Sequence, residues 1–433
     1  MRTAAPLILL GLLAGTASAD DPPGRSRVHV DRIVIDDDFP DAYQVEVADV
    51  DGDKKPDLVV VGGKTIAWYQ NPTWTKRIIA TGGDPFRADI ISSATVDLDG
   101  DGRAEVAVAC DFAMNTPTRG QLWLAMPGAK LADPWAFRKV ADVPSIHRLR
   151  WADLEGDGRP ELIVAPIFGP KAAPPAYDQD PARVVEYRPD PADPRLGKWT
   201  SREILRRPVV HAVGSVPTRF DKPAGQQPAW VVVAGNTGLG VARATRDGQG
   251  RVSGWEVAAA PLVPGKAGAA PRRGCSDFAA IGIKGQAPQV VTIEPWHGSE
   301  LACWLLPFVP GDPMAPPLGP PATRPAGSLA PVRTVIDATL DDGHALWAAD
   351  VDGDGTDEIF AGHRGKDHRV AMYRREGDAW SRTILDTQIA AQDLRGGDID
   401  GDGVPDVVGV GGTTHNVVWY RPTVLKGEPA SAR

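Results

Sequence analysis

The chain has 433 residues, a formal net charge of −9, 47 glycines, 41 prolines and three cysteines. The negative charge argues against a nucleic-acid partner, which needs a basic face, and the glycines and prolines favour short strands and turns over long helices. Three cysteines permit at most one internal disulfide, so the fold must be stabilised by its core, by metal ions or by both.

The first predicted element is a secretory signal peptide over residues 1–19. Met1 and Arg2 give a positively charged start, residues 7–13 are apolar, and residues 17–19 (Ala-Ser-Ala) form a small-residue cleavage site. The apolar stretch is too short to span a bilayer, and no later segment approaches about 18 consecutive apolar residues. We therefore expect a secreted or periplasmic protein without a membrane span, whose mature part, residues 20–433, is one domain.

A nine-residue acidic pattern then occurs five times, each time between two short apolar segments that are predicted to be strands. Carboxylates stand at positions 1, 3, 5 and 9, and glycine stands at position 4. The carboxylates are Asp49, Asp51, Asp53 and Asp57; Asp97, Asp99, Asp101 and Glu105; Asp153, Glu155, Asp157 and Glu161; Asp350, Asp352, Asp354 and Glu358; Asp398, Asp400, Asp402 and Asp406.

These loops are typical of calcium sites, because carboxylate oxygens are hard ligands and glycine lets a loop fold tightly around an ion. Position 12 falls inside the next strand and is never Glu, which excludes the helical EF-hand. We expect up to five structural Ca²⁺ ions, which would neutralise the acidic charge. The alternative is a set of solvated acidic hairpins.

Each acidic loop belongs to a unit of four predicted strands, the pattern of a β-propeller blade. Two further units, around residues 211–255 and 277–305, lack the acidic loop but keep the strand pattern, which makes seven blades. The last unit ends its third strand at Tyr420, whereas a fourth-strand pattern stands at residues 29–35. We therefore predict an all-β, seven-bladed propeller whose ring is closed by an N-terminal strand.

The histidines gather at one end of the predicted blades. In this topology the acidic loops join first and second strands at one face, and the starts of the first strands share the opposite face with the second-to-third connections. Six of the eight histidines map to that opposite face: His147, His211, His297, His344, His363 and His415. His29 belongs to the closing strand, and His368 lies near the third strand of the sixth blade. Scattered polar loop residues are the alternative interpretation.

Neutral imidazoles favour Zn²⁺ or another transition metal, whereas calcium favours the oxygen loops. We predict His211, His297 and His363 as metal ligands, because they come from the adjacent blades four, five and six. His147 is the predicted general base and His344 or His415 the predicted proton donor.

Other residues of the same face suit a polar ligand. They are Lys64, Asp89, Asp111, Asp277, Glu294 and Arg364, with Tyr43 and Trp296 as aromatic groups that either line a sugar or pack in the core. The Pro/Ala-rich segment 169–180 is either a loop over this pocket or a disordered insert.

On the acidic loops, the chain resembles the FG-GAP, or VCBS, family of calcium-binding propellers over essentially the whole mature chain. Residues 146–153 (IHRLRWAD) and 343–350 (GHALWAAD) further resemble the propeller of the aldos-2-ulose dehydratase family. This resemblance implies dehydration of keto-sugars such as 1,5-anhydrofructose, with a metal in the propeller.

The leading hypothesis is a metal-dependent carbohydrate lyase that eliminates water from a keto-sugar or anhydro-keto-sugar. The alternative is a non-catalytic propeller that binds a glycan or a protein. Calcium-dependent β-elimination from a polysaccharide is a third class, but it needs a long charged groove that the sequence does not show.

Overall fold

The computed structural model describes residues 27–83, 85–215, 229–286, 289–306 and 330–425, and the predicted signal peptide lies outside these ranges. All regular structure in them is β: 28 strands form seven antiparallel sheets of four strands. None of these residues forms a helix that is long and apolar enough to cross a membrane. The predicted all-β propeller of seven blades is therefore confirmed.

Blades one to three each run from the innermost to the outermost strand in chain order. Blade one comprises β2 (Ala42–Ala48), β3 (Asp57–Gly62), β4 (Thr65–Gln70) and β5 (Thr75–Thr81). Blade two comprises β6 (Ser92–Val96), β7 (Glu105–Cys110), β8 (Gln121–Met126) and β9 (Ala136–Asp142). Blade three comprises β10 (Ile146–Ala152), β11 (Glu161–Pro166), β12 (Ala182–Arg188) and β13 (Thr200–Arg207).

Blades four to six repeat this order. Blade four comprises β14 (Ala212–Ser215), β15 (Trp230–Gly235), β16 (Gly238–Arg246) and β17 (Val252–Val257). Blade five comprises β18 (Asp277–Ile281), β19 (Gln289–Glu294), β20 (Glu300–Leu305) and β21 (Val332–Asp337). Blade six comprises β22 (Gly343–Ala349), β23 (Glu358–His363), β24 (Arg369–Glu376) and β25 (Ala379–Asp386).

Blade seven joins the two ends of the described chain. It comprises β26 (Ala391–Gly397), β27 (Asp406–Gly411), β28 (Asn416–Leu425) and, as its outermost strand, β1 (Arg27–Asp36). β1 pairs antiparallel with β28, from Arg27 opposite Leu425 to Asp36 opposite Val417. Strand β26 contacts β22 on one side and β2 on the other, so the ring is closed as the sequence predicted. Because the ring is closed, each blade has an adjacent blade on both of its sides.

The core lies between the blades. Every residue of the seven second strands is buried, and the seven largest apolar clusters each join strands of two adjacent blades. A blade therefore buries its apolar faces only against its neighbours, which is why the sheets are stable as a ring. Cys110, Cys275 and Cys303 are buried and free, so no disulfide supports this core.

Three of the blade junctions share a polar clamp. The last residue of an outermost strand is Asp. Its carboxylate accepts a hydrogen bond from a Tyr on the third strand of the next blade and forms an ion pair with a cation on the fourth strand of that blade. The three clamps are Asp36 with Tyr69 and Lys76, Asp337 with Tyr373 and Arg382, and Asp386 with Tyr420 and Arg32. The clamps fix the angle between neighbouring sheets, because each joins three strands through one carboxylate.

Candidate metal centre

The innermost strands of four blades carry a β-bulge next to their first residue. The register shifts between residues 42 and 44, 146 and 148, 343 and 345, and 391 and 393. The extra residues are Tyr43, His147, His344 and Gln392. Because a bulge redirects one side chain relative to the regular alternation, the fold presents these four residues at equivalent positions around one end of the channel.

Two further histidines complete a cluster at this end. His211 immediately precedes β14, and His297 lies in the connection between β19 and β20. Ring centroids are 5.0 Å apart for His147 and His211 and 4.7 Å apart for His211 and His297. The ring of His344 lies 5.1 Å from those of both His211 and His297. We call His147, His211, His297 and His344 the histidine centre.

Three of these imidazoles direct one nitrogen each toward a common point. The ligand nitrogens of His211, His297 and His344 all lie within 4.8 Å of one another. Nδ1 of His211 is 2.8 Å from the carbonyl oxygen of Ser276, and Nδ1 of His344 is 2.6 Å from that of Gln392. A carbonyl only accepts hydrogen bonds, so both Nδ1 atoms carry the proton and both Nε2 atoms keep a free lone pair.

His297 has two partners that select different tautomers. Its Nδ1 lies 2.9 Å from Asp342 Oδ1 and 2.9 Å from Arg364 Nη2, and its Nε2 lies 2.9 Å from the Nε2 of His211. When Nδ1 donates to Asp342, the three Nε2 lone pairs face one another, and a cation between them would relieve their repulsion. When Nδ1 accepts from Arg364, the Nε2–H donates to His211 instead. The same side chains therefore support a metal-binding form and a hydrogen-bonded, metal-free form.

The environment keeps the imidazoles neutral. Burial lowers the pKa of His147, His211 and His344 well below 6.5, and it also lowers the pKa of His297. Nearby guanidinium groups act in the same direction, with Arg148 affecting His147 and Arg364 affecting His344. Neutral imidazole is the form that binds a metal ion.

The donor set fits a transition metal. Zinc binds imidazole nitrogen at about 2.0–2.1 Å, and three such ligands with one open position form a catalytic site. Each Nδ1 bonds a carbonyl or carboxylate oxygen, which fixes ring orientation and makes Nε2 a better ligand. The residues that supply these oxygens, Ser276, Asp342 and Gln392, carry no sequence signal of a metal site, and we had not predicted them.

The predicted ligand His363 does not join this group. It is the last residue of β23, a second strand, and its Nδ1 lies 3.1 Å from the carbonyl oxygen of Asp341. His344 takes the third position because it occupies the bulge of the innermost strand of the same blade. Of the two histidines of blade six, the structure therefore places His344, and not His363, beside His211 and His297.

The three residues predicted to transfer protons lie in different surroundings. His147 lies in the centre, with its Nε2 3.3 Å from Arg148 Nη1 and its ring 5.5 Å from Phe112. His344 is one of the three converging imidazoles. His415 is exposed in the connection between β27 and β28, where its Nδ1 accepts a hydrogen bond of 3.4 Å from the backbone N–H of Asp41. It is not among the clustered imidazoles.

The other predicted pocket residues divide into two groups. Arg364 contacts His297, Trp296 lies against the rings of His211 and His297, and the Tyr43 hydroxyl is 3.5 Å from Nε2 of His344. Asp89 and Asp111 instead pair with Arg119, and Glu294 pairs with Arg333 of the outermost strand. No contact joins Lys64 to the histidine centre in the described part of the chain.

The segment 169–180 is an ordered loop beside the centre. Its ends meet where Gly169 donates a hydrogen bond of 2.8 Å to the carbonyl oxygen of Asp180. Tyr177 stacks on Phe168 at 4.9 Å, and this pair belongs to an apolar cluster with Trp296 and Phe112. Tyr177 of this loop, Phe168, Trp296 and Phe112 therefore form an aromatic wall on one side of the histidine centre.

The acidic loops lie at the opposite face. Four of the five bring three carboxylates within 4.8 Å of one another: Asp49, Asp51 and Asp53; Asp97, Asp99 and Asp101; Asp350, Asp352 and Glu358; Asp398, Asp400 and Asp406. The glycines at position 4 have φ between 71° and 83°, a conformation that favours glycine. Asp57, Glu105, Asp354 and Asp402 occupy the remaining predicted positions of these loops.

The loop of blade three differs from the others. Asp153, Asp157 and Glu161 keep their positions, but Glu155 stands where the other loops have Asp. Its longer side chain pairs with Arg188 and lies 3.8 Å from Arg246, so it is directed toward cations of the neighbouring strands. This loop consequently lacks the close carboxylate group of the other four.

Comparison with known proteins finds similarity to a repeat family in two parts of the chain. A model of the FG-GAP-like repeat matches residues 40–108 and 350–409. These ranges hold blade one, the first two strands of blade two, the last three strands of blade six and the first two strands of blade seven, each to within two residues. The chain is also 25% identical over 293 residues to aldos-2-ulose dehydratase of Phanerodontia chrysosporium. That match covers 61% of this chain and 27% of the dehydratase, so the chain spans about a quarter of that relative.

Two solved structures align with most of the chain at low identity. One is an Agrocybe aegerita lectin that recognises non-reducing terminal N-acetylglucosamine, with 12% identity, a TM-score of 0.45 and 81% of each chain covered. The other is a chain of the mitotic checkpoint complex, with 11% identity, a TM-score of 0.44, and 95% of this chain and 98% of that chain covered.

Proposed function

We propose that the protein is a metal-dependent lyase that eliminates water from a keto-sugar. The observation that carries this proposal is the convergence of the Nε2 atoms of His211, His297 and His344, whose opposite ring nitrogens are held by oxygen atoms. The similarity to a dehydratase that acts on an aldos-2-ulose supports the choice of reaction. The three imidazoles would hold the ion, and Zn²⁺ is the ion that this donor set fits best.

A bound divalent ion would polarise the carbonyl group of the sugar as a Lewis acid. His147 then removes a proton from the carbon next to that carbonyl, since its imidazole is neutral and lies in the centre. The hydroxyl group leaves from the following carbon, and a proton converts it into water as the carbon–carbon double bond forms. Tyr43 is placed to donate that proton, because its hydroxyl is 3.5 Å from Nε2 of His344.

The aromatic wall suits the apolar face of a sugar ring. Trp296 is 8% exposed and contacts two imidazoles of the centre, and Phe112 contacts a third. Apolar aromatic surface with a few convergent polar groups is the usual character of a small-molecule site. A sugar bound there exchanges water for ring contacts while its carbonyl faces the imidazoles.

The test combines elemental analysis with a spectroscopic assay. The purified protein should contain about one equivalent of a transition metal, and incubation with 1,5-anhydrofructose or a related keto-sugar should raise the ultraviolet absorbance of a conjugated enone. His211→Ala should remove both signals, whereas His29→Ala, on the closing strand, should keep both. Stoichiometric metal and sugar binding without an enone would favour a non-catalytic glycan-binding propeller. Absence of metal would refute the centre itself.

We further propose that the acidic loops bind structural calcium, with up to five sites and the weakest one in blade three. Clustered carboxylates repel one another unless a cation lies between them, and oxygen-rich loops are the environment that Ca²⁺ prefers. Ions that bind only the folded protein stabilise it by mass action. Chelation should therefore lower the melting temperature, and added Ca²⁺ should restore it. An unchanged melting temperature after chelation would contradict this assignment.

A further inference from the structure

Arg148 is the only arginine or lysine side chain that is buried within the described residues, with 9% of its surface exposed. It follows His147 on β10 and lies beside the histidine centre, where its charge lowers the pKa of all four imidazoles. A buried guanidinium is costly unless hydrogen bonds and a negative charge compensate it. The partners of Arg148 therefore indicate what the site is built to receive.

Those partners leave most of the guanidinium unused. Nη1 lies 3.3 Å from Nε2 and 3.3 Å from the carbonyl oxygen of His147, and the group lies over the ring of Tyr43 at 5.2 Å. In the ranges that the structure describes, no carboxylate lies within 4.0 Å of Arg148 and no other hydrogen bond involves its side chain. A guanidinium has five N–H donors, so Arg148 can still form a two-pronged contact with a carboxylate.

Neighbouring charges in the channel do not neutralise it. Glu46 pairs with Arg150 at 3.5 Å, and Asp393 pairs with Arg395 at 3.0 Å. Asp277 is the remaining carboxylate, and it accepts a hydrogen bond of 2.9 Å from the backbone of its own strand. Burial raises the pKa of Asp277 to about 6, with Arg148 and Arg150 acting in the opposite direction, so its compensation of Arg148 is indirect.

Among the residues that the structure describes, the other groups around the centre offer a ligand no unpaired carboxylate. The imidazoles are neutral, and the carboxylate of Asp342 is paired with Arg364 at 2.8 Å. A divalent ion on the imidazoles would make the site still more positive. Electrostatic complementarity therefore favours an anionic ligand over a neutral one of the same shape.

We propose that Arg148 forms an anion subsite of the histidine centre and that the substrate is a keto-sugar acid, which Arg148 binds through its carboxylate. This inference rests on the proposed lyase function and narrows its substrate class. The carboxylate accepts hydrogen bonds from the guanidinium, and the sugar carbonyl faces the converging imidazoles.

Calorimetric titration with two matched sugars tests this proposal. 2-Keto-D-gluconate and D-fructose share a six-carbon 2-keto chain and differ at carbon 1, which is a carboxylate in the first and a hydroxymethyl group in the second. We expect the metal-loaded protein to bind the acid at least tenfold more tightly than fructose. Arg148→Gln should remove that preference and leave fructose affinity within about twofold. Arg148→Lys, which keeps the charge without the planar fork, should keep part of it.

Arg183→Gln is the matched control, because Arg183 is exposed and pairs with Glu203 on the outer strands of blade three, away from the histidine centre. Melting temperature and metal content should be the same in all variants. Three results would each overturn the subsite: equal affinity for the two sugars, no detectable binding of the acid at about 10 mM, or a preference for the acid that survives Arg148→Gln. Selective binding of the acid without enone formation would keep the subsite and refute only the lyase function.

Discussion

His344 and His363 stand on neighbouring strands of blade six but serve different surroundings. His344 directs Nε2 toward His211 and His297, whereas the Nδ1 of His363 lies against a backbone carbonyl. We expect His344→Ala to lower metal content below 0.1 equivalent, roughly the tenfold or greater loss that removal of one of three ligands implies. His363→Ala should retain the metal. Inductively coupled plasma analysis of both variants gives the result, and the reverse outcome would restore the sequence-based choice of His363.

Asp342 is expected to act on the metal through His297. Its carboxylate accepts from Nδ1 of His297, which selects the tautomer that leaves Nε2 free, and Arg364 competes for the same nitrogen. Asp342→Asn should therefore weaken Zn²⁺ affinity by about 10- to 100-fold in a competition titration with a chromogenic chelator. Asp341→Asn is the control, because the backbone carbonyl of Asp341, and not its carboxylate, contacts His363. Equal affinities in both variants would exclude this positioning role.

At the residue scale, the sequence indicated which face of the ring carries the clustered histidines, but it did not indicate which of the histidines lie together. The blade pattern alone placed His147, His211, His297 and His344 at the face away from the acidic loops. The choice between His344 and His363 depended on a β-bulge, which one inserted residue creates and which leaves no residue-type signature. The sequence did not single out Asp342 and Arg148, because charged residues are common near histidines. Only their burial and contacts, which the structure gives, distinguish them from solvated charged residues.

At the scale of strands and blades, the Asp–Tyr–cation clamps are where stability depends on pH. Burial by itself would raise the pKa of Asp337, but hydrogen bonds from Thr339, Arg382 and Tyr373 outweigh that effect and lower the pKa to about 2. A lowered pKa in the folded state contributes stability above the unfolded value of about 3.9, and this contribution is lost as the pH falls toward 2.

Asp337→Asn should thus reduce the free energy of unfolding at pH 7 by about 2 kcal/mol. This is the free-energy equivalent of the change in the pKa of Asp337 from 3.8 to about 2. Urea unfolding of the wild type and the variant should show this difference at pH 5–7, as the linkage predicts, and a narrowing of it below about pH 4. Other carboxylates titrate in both proteins and cancel in the difference. Asp378→Asn, in an exposed turn, should change neither the free energy of unfolding at pH 7 nor its dependence on pH. A difference that is constant with pH would assign the loss to packing.

The sequence anticipated the elements because each blade repeats strand, acidic loop and apolar strand in one order. Blades four and five, which lack the acidic loop, were still found from their buried second strands β15 and β19. The clamps were not predicted, since they join residues of successive blades whose pairing depends on the angle between two sheets. The departure of the blade-three loop likewise follows from contacts of Glu155 with Arg188 and Arg246 that lie outside the nine-residue pattern.

At the scale of the whole molecule, stability depends on closing the ring, because no disulfide links its ends. Strand β1 supplies the fourth strand of blade seven and two members of the clamps, Asp36 and Arg32. Removal of β1 would leave β28 as an unpaired edge and would interrupt the contacts between blades six, seven and one. An exposed strand edge pairs readily with other chains.

Deletion of residues through Asp36 should therefore lower the melting temperature by at least 10 °C, on the order of a loss of several kcal/mol in a domain of this size. It should also produce concentration-dependent oligomers in light scattering. A chain that begins at Arg27, and so keeps β1, is the control for this deletion. If the deletion variant stays monomeric and melts at the same temperature as the control, stability would not depend on closure by β1. The interfaces between blades would then be sufficient to keep the ring together. The three predicted metal ligands come from blades four, five and six, and the carbonyl group of Gln392, which contacts one of them, comes from blade seven. Loss of closure should therefore also reduce metal content. If the ring stays closed without β1, metal content should not change.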